Sequence, residues 1–182
     1  MLCTFNLSTL ANAEEEESSR RYMTIKTNIA YDAIAIPNFD FSIGLSEHIT
    51  LDIPIMWSFW NWKRDLGLRV LGTQPRILYW FQKPGQSHAA GIDTGMYFYN
   101  LRIGDYRYQD YRRPLLCISL NYTYALRLSS KWHMEFSISA GYANSRYNRY
   151  YNIDNGALKD RKTLNYFGPT QVGVNLCYIF GK

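Results

Sequence analysis

From Tyr22 onward the chain alternates bulky apolar residues with small or polar ones at period 2, segment after segment. In the clearest segment Trp132, Met134, Phe136, Ile138, Ala140 and Tyr142 interleave with His133, Glu135, Ser137, Ser139, Gly141 and Ala143. Leu116, Ile118, Leu120, Tyr122, Tyr124 and Leu126 interleave in the same way with Cys117, Ser119, Asn121, Thr123 and Ala125. Segments 49–59 and 172–180 repeat the pattern. A strand sends successive side chains to opposite faces, so each segment has one apolar face and one small or polar face. The pattern predicts eight strands, at 23–34, 39–46, 49–59, 68–81, 89–101, 113–126, 132–147 and 166–180. Connections at 47–48, 82–87 and 128–131 are short, whereas 60–67, 102–112 and 148–165 are long. The connection around Pro37-Asn38 is short although its place in the order belongs to the long set.

The second face selects among the architectures that share this alternation. In a soluble sheet it meets water and carries Lys, Glu, Thr and Gln. Here it carries Ser42, Gly44, Gly91, Gly95, Ala125, Ser137, Ser139, Gly141 and Gly173, which suit the crowded interior of a narrow barrel. The strands exceed the usual length of about 5–6 residues and reach the roughly 9–11 needed to cross a bilayer at a tilt. Short turns at one end and long loops at the other complete an outer-membrane pattern. The fold class expected is therefore all-β, a closed eight-stranded antiparallel up-and-down transmembrane barrel. Trp57, Phe59, Trp60, Trp62, Tyr147, Tyr150 and Tyr151 would form one aromatic girdle, and Tyr79, Phe81, Trp132, Tyr178 and Phe180 the other. A soluble calycin-like ligand-binding barrel is the reading that competes on alternation alone.

Composition narrows the class further. The chain has 182 residues, one domain's worth, with 16% aromatic and only 19% charged residues. It contains no apolar run of about 20 residues, which excludes a helical membrane protein. Its aromatic and β-branched content excludes intrinsic disorder, and three cysteines exclude a disulfide scaffold. Residues 1–13 carry no charge and end in Ala11-Asn12-Ala13, an A-x-A pattern followed by Glu14-Glu15-Glu16-Glu17. Residues 1–21 are read as a signal-peptide remnant and leader, and 22–182 as the barrel. Cys3 would leave with the signal.

Two blocks carry a family resemblance. Lys26-Thr27-Asn28-Ile29-Ala30-Tyr31-Asp32-Ala33-Ile34-Ala35-Ile36-Pro37-Asn38 opens the strand region. Tyr151-Asn152-Ile153-Asp154 and Tyr166-Phe167-Gly168-Pro169-Thr170-Gln171-Val172-Gly173-Val174 lead to a closing Phe180-Gly181-Lys182. The chain resembles an uncharacterised, domain-of-unknown-function family of small outer-membrane β-barrel proteins from Bacteroides-type bacteria. The resemblance spans roughly residues 24–182. It implies a Gram-negative outer-membrane barrel with a link to fimbria-type surface systems, and it supplies no catalytic residues.

The net charge of +5 is not spread evenly. Segment 60–69 carries Lys63, Arg64 and Arg69 against Asp65. Segment 102–113 carries Arg102, Arg107, Arg112 and Arg113 against two Asp, and 146–162 carries Arg146, Arg149, Lys159, Arg161 and Lys162 against two more. The basic excess thus gathers at the long-loop end, interleaved with tyrosines. Stacking on nucleic acid is a poor fit for a cell-surface barrel. Lipopolysaccharide phosphates are the anionic neighbours that arginine suits, and outer-membrane lipid or a cell-surface protein are the partners expected of a monomer.

Candidate chemistry is sparse. His133, Glu135 and Ser137 share one face at i, i+2 and i+4, about 7 Å apart in succession, which reads as too far for a relay. His48 and His88 fall in short turns, and Cys117 and Cys177 lack neighbours at metal-ligand spacing. The expectation is a non-catalytic protein without cofactor or metal, with a lipid A-modifying barrel enzyme as the alternative. Lys26, Asp52, Arg76, Asp93 and Glu135 all take inward positions, and confined charges must pair. Arg76 is expected among Asp93, Asp52 and Glu135, with Lys26 as the second cation.

Overall fold

The fold is known from a computed structural model that describes residues 22–63 and 65–181. Residues 1–21, expected as signal remnant and leader and including Cys3, lie outside the described residues, as do Arg64 and Lys182. The elements in order are β1 (Met23–Asn28), α1 (Ile29–Asp32), β2 (Asn38–Gly44), β3 (Ile49–Lys63), β4 (Leu66–Thr73) and β5 (Arg76–Trp80). They continue with β6 (Ser87–Ile103), β7 (Tyr106–Asp110), β8 (Leu115–Arg127), β9 (Trp132–Tyr151) and β10 (Leu158–Gly181). Every strand pairing is antiparallel and up-and-down. The path β10-β1-β2-β3-β4-β6-β7-β9 returns to β10, so the pairings close a ring through eight strands. At the short-turn end β5 and β8 occupy the places that β4 and β7 hold at the other end.

Three expected elements differ from the sequence reading. The segment 68–81 is two strands, broken at Gln74-Pro75, because proline has no N–H to give the ladder. The first strand stops at Asn28 rather than running to 34. Asn28 Oδ1 accepts from Ala30 N at 3.1 Å and caps the short helix α1. Asn38 then ties the corner: its Oδ1 accepts from Asn28 N at 2.6 Å, and its Nδ2 donates to Asp32 Oδ1 at 2.9 Å.

The third difference is the larger one. The segments 60–67, 102–112 and 148–165 are not open loops but the tips of long hairpins. Ile103 pairs with Tyr106 across Gly104-Asp105, with Gly104 at φ 56° and Asp105 at negative φ, as a two-residue hairpin turn with glycine first requires. β9 and β10 stay paired from Tyr150 and Leu158 down to Trp132 and Tyr178.

The polarity of the ring is inverted relative to a soluble domain. Buried positions are largely polar or charged, among them Thr24, Lys26, Ser42, Asp52, Arg76, Asp93, Thr123, His133, Glu135 and Ser139. Outward positions are bulky and apolar: Ile53, Ile55, Leu71, Ile77, Ile92, Ile118, Phe136, Ile138 and Val172 are exposed, and Leu120 is 71% exposed. Inside, Leu78, Trp80, Ala89 and Ala125 form one apolar cluster near the short-turn end. Glycines let neighbouring strands crowd against one another. A Cβ on Gly91 would sit 2.0 Å from Ile77 O, and one on Gly141 would sit 2.1 Å from Ile118 O.

Candidate functional site

Strand alternation brings five charged side chains from β1, β2, β3, β5 and β9 into one interior network. Lys26 Nζ donates to Asp52 Oδ2 at 2.8 Å and to Glu135 Oε2 and Oε1 at 2.8 and 3.0 Å. Arg76 Nε donates to the same Asp52 oxygen at 2.8 Å, and its Nη2 donates to Asp40 Oδ2 at 2.7 Å. His133 Nε2 donates to Glu135 Oε1 at 3.0 Å, and the Tyr22 hydroxyl lies 3.3 Å from the same nitrogen. All these charged groups are buried, so each depends on its partners rather than on water.

The network departs from the expected one in two respects. Asp93 faces Arg76 in register but does not pair with it. Instead it accepts from Gln74 Nε2 at 2.7 Å and from Ser139 Oγ at 2.5 Å. Glu135 belongs to Lys26 rather than to Arg76. The carboxylate that takes the Arg76 place is Asp40, which the sequence reading did not single out. The signal was available: Asp40 has the same parity as Ser42 and Gly44, already read as inward. Lys26 and Asp52 are placed as expected. With Asp40 included, four buried carboxylates face two permanent cations among the described residues, an acidic excess instead of near balance.

The relay reading also needs correction. Residues two apart on one strand face have distant backbones, but long side chains lean along the strand and close the gap. His133 and Glu135 therefore touch, whereas Ser137 Oγ is buried without a hydrogen-bond partner among the described residues. A three-residue nucleophilic relay is not assembled. His133, Glu135 and Cys177 have donor atoms within 4.8 Å of one another. Both Glu135 oxygens are already held by the Lys26 ammonium, which puts a positive charge beside any cation that would bind there. Cys117 and Cys177 are buried free thiols, as expected from their strands. Beside the network, a cavity of about 20 Å³ is lined by Asn28, Tyr31, Asp40, Gln74, Arg76 and Gln171, among others. That is room for a single water molecule.

At the other end, β7, the end of β9 and the start of β10 form a lattice of basic and tyrosine side chains. Arg107 lies over Tyr150, with 4.9 Å to the ring centroid, and Arg149 lies over Tyr106 at 4.9 Å. Lys159 lies 4.3 Å from the Tyr106 centroid, and Arg161 and Arg112 lie 4.6 and 5.1 Å from that of Tyr111. Arg149 also makes a forked pair with Asp160, at 3.0 and 2.5 Å. The hydrogen bond from Arg149 holds the Asp160 carboxyl below its usual range, and the bond to the Tyr106 hydroxyl holds the Lys159 ammonium above its own. Lys63 and Lys162 are exposed, and Arg102 is half-buried on β6. The structure places these basic residues on paired strands and their tips, where long loops were expected.

The comparisons with known proteins add the family. The profile of a protein family of unknown function (DUF3575) matches residues 1–180. The chain belongs to this family. The match covers both resemblance blocks, and the first of them is the hydrogen-bonded corner of Asn28, Asp32 and Asn38. No curated protein and no solved structure matches this DUF3575 chain.

Proposed function

We propose that this DUF3575 protein is a non-catalytic outer-membrane β-barrel of a Gram-negative bacterium, with a surface-interaction role carried by its basic hairpin tips. The observation that carries this reading is the inverted polarity of a ring of paired strands. A sheet that buries Lys26, Asp52, Arg76 and Glu135 while exposing Leu120, Ile118 and Val172 has its apolar face toward the surrounding solvent. Such a face is stable against hydrocarbon, and over the short-turn half, where the pairings close the ring, backbone groups are satisfied as lipid requires. On β9 the outward apolar set runs from Trp132 to Tyr142, the length of one crossing.

The surface role rests on the Arg, Lys and Tyr lattice of β7, β9 and β10, which lies beyond that span and offers guanidinium groups to anionic partners such as lipopolysaccharide phosphate. The absence of catalysis rests on Ser137 standing apart from the His133–Glu135 pair. Fractionation with epitope tags tests the reading. The protein should sediment with outer membrane, tags at Asp105 and Asn155 should be reached by antibody on intact cells, and a tag at Gly85 should not. Recovery in the soluble fraction, or labelling at Gly85, overturns it. Unchanged lipid A mass spectra on deletion of the gene are expected of a non-enzyme.

A further inference from the structure

The ring is complete only over its short-turn half. β10 pairs with β9 from Leu158 to Tyr178, but with β1 only from Asn175 onward. On the other side of this gap, β2 leaves β3 at Met56. Both short strands end there because Asn28 caps α1 and Asn38 closes the corner. Beside α1 the gap has some cover, since Asn28 Oδ1 accepts from Val174 N. Above it, among the described residues, no strand lies along the β10 edge from Leu158 to Tyr166. Residues Arg161 to Phe167 are all exposed, on both faces of the strand, and Phe167 is 85% exposed.

An unpaired edge presents a row of backbone donors and acceptors and is a template for a further strand. Proteins usually blunt such an edge with proline, bulges, charged side chains or a covering element. Between Leu158 and Phe167 this one has a register shift at Leu158/Asp160 and the charged run Lys159 to Lys162, which repels basic strands and leaves acidic ones admitted. Its side chains also define a partner. Lys159, Arg161 and Lys162 sit near the tip, where Asp154 lies in the turn and Asp160, the acid on the strand itself, is already taken by Arg149. Leu164 and Tyr166 follow toward the ring and are exposed.

We propose that the β10 edge from Lys159 to Tyr166 is a strand-addition site for an extended polypeptide that carries carboxylates opposite the basic tip and apolar residues opposite Leu164 and Tyr166. Main-chain hydrogen bonds supply affinity in this mode, and the alternate side chains supply selectivity. A glycan or a lipid headgroup matches the charge but not the row of backbone groups. The inference rests on the surface-interaction reading for where the partner is met. The edge itself does not depend on the membrane.

The test uses purified, folded protein in detergent micelles and a labelled, capped octapeptide, Val-Thr-Val-Thr-Glu-Glu-Thr-Glu. Run antiparallel to β10 from Tyr166, it sets glutamates opposite Lys162, Arg161 and Lys159 and threonine opposite Asp160. Saturable binding by fluorescence anisotropy is expected, with at least a tenfold loss (on the order of 1.4 kcal/mol) in the triple variant Lys159→Glu, Arg161→Glu, Lys162→Glu. Two further peptides carry N-methyl groups on every second amide, in opposite phases. One phase blocks the pairing edge and should abolish binding, while the other should bind like the parent. Circular dichroism melting of the triple variant separates lost binding from lost fold. The proposal is overturned if the parent peptide does not bind, if a lysine-for-glutamate peptide binds equally, if both N-methyl phases bind alike, or if the edge is sealed by a second copy in solution. Those results leave the fractionation test of the membrane reading untouched, and a soluble protein that bound the peptide would separate the two in the other direction.

Discussion

Lys26 and Glu135 lie 109 residues apart in sequence and meet inside the ring, the ammonium reaching both carboxylate oxygens at 3.0 and 2.8 Å. Through Asp52, which accepts from both Lys26 and Arg76, the contact extends to Asp40. β1, β2, β3, β5 and β9 are thereby tied across the interior, so the network acts as a cross-brace for a ring whose middle holds little apolar packing.

Removing one member should leave an uncompensated buried charge. Lys26→Met and Arg76→Leu are each expected to lower stability by about 3–5 kcal/mol, read from thermal or denaturant unfolding in micelles. Asp93→Asn should cost less, about 1–3 kcal/mol, because Asp93 is held by the neutral donors of Gln74 and Ser139. Equal losses at Asp93 and Arg76 would contradict the separation of the two groups.

Close approach of neighbouring strands makes particular glycines hard to replace. Gly141→Ala would drive a methyl group to 2.1 Å from the carbonyl oxygen of Ile118, and backbone must move to relieve it. A loss of about 1–3 kcal/mol is expected from the overpacking. The control is Ala143→Gly, which creates no clash and should cost roughly 1 kcal/mol or less.

Both interior thiols should be reduced and shielded. Cys117 and Cys177 are buried, on β8 and β10 with β9 between them. A hydrophilic maleimide should label neither in the folded protein and both after denaturation. A disulfide between them on non-reducing mass analysis would refute the register.

The Arg149–Asp160 pair gives the basic sheet a dependence on acid. Asp160 is lowered by its hydrogen bond from Arg149, so its folded value lies below its unfolded one. The contribution is therefore present above the unfolded value of about 3.9 and is lost as pH falls through the folded one. Carboxyl-carbon NMR should show Asp160 titrating below an ordinary aspartate, and Arg149→Gln should return it to that range. The pair is half-buried at the surface, where water screens it, so global stability should change little.

A ring of this width filled by Lys26, Arg76, Asp40, Asp52 and Glu135 should not conduct as a porin does. Planar-bilayer recordings are expected to show no stable ohmic conductance of porin size.

Period-2 alternation by itself determined the strands, their two faces and the inward set Lys26, Asp52, Arg76, Asp93 and Glu135, because a strand's geometry leaves each side chain only two directions. The same parity held Asp40 in plain view. Partner choice was another matter. Whether Arg76 meets Asp93 or Asp40 depends on how the walls twist and stagger around the ring, and register along one strand does not contain that information. Length was misread for a related reason: the tips at 102–112 and 148–165 lose the alternation once no interior lies behind them, although their backbones stay paired. The free edge of β10 was decided wholly in three dimensions. It exists because the Asn28–Asn38 corner stops β1 and β2 while β9 and β10 run on, and a strand's own residues do not record whether a neighbour reaches as far as it does.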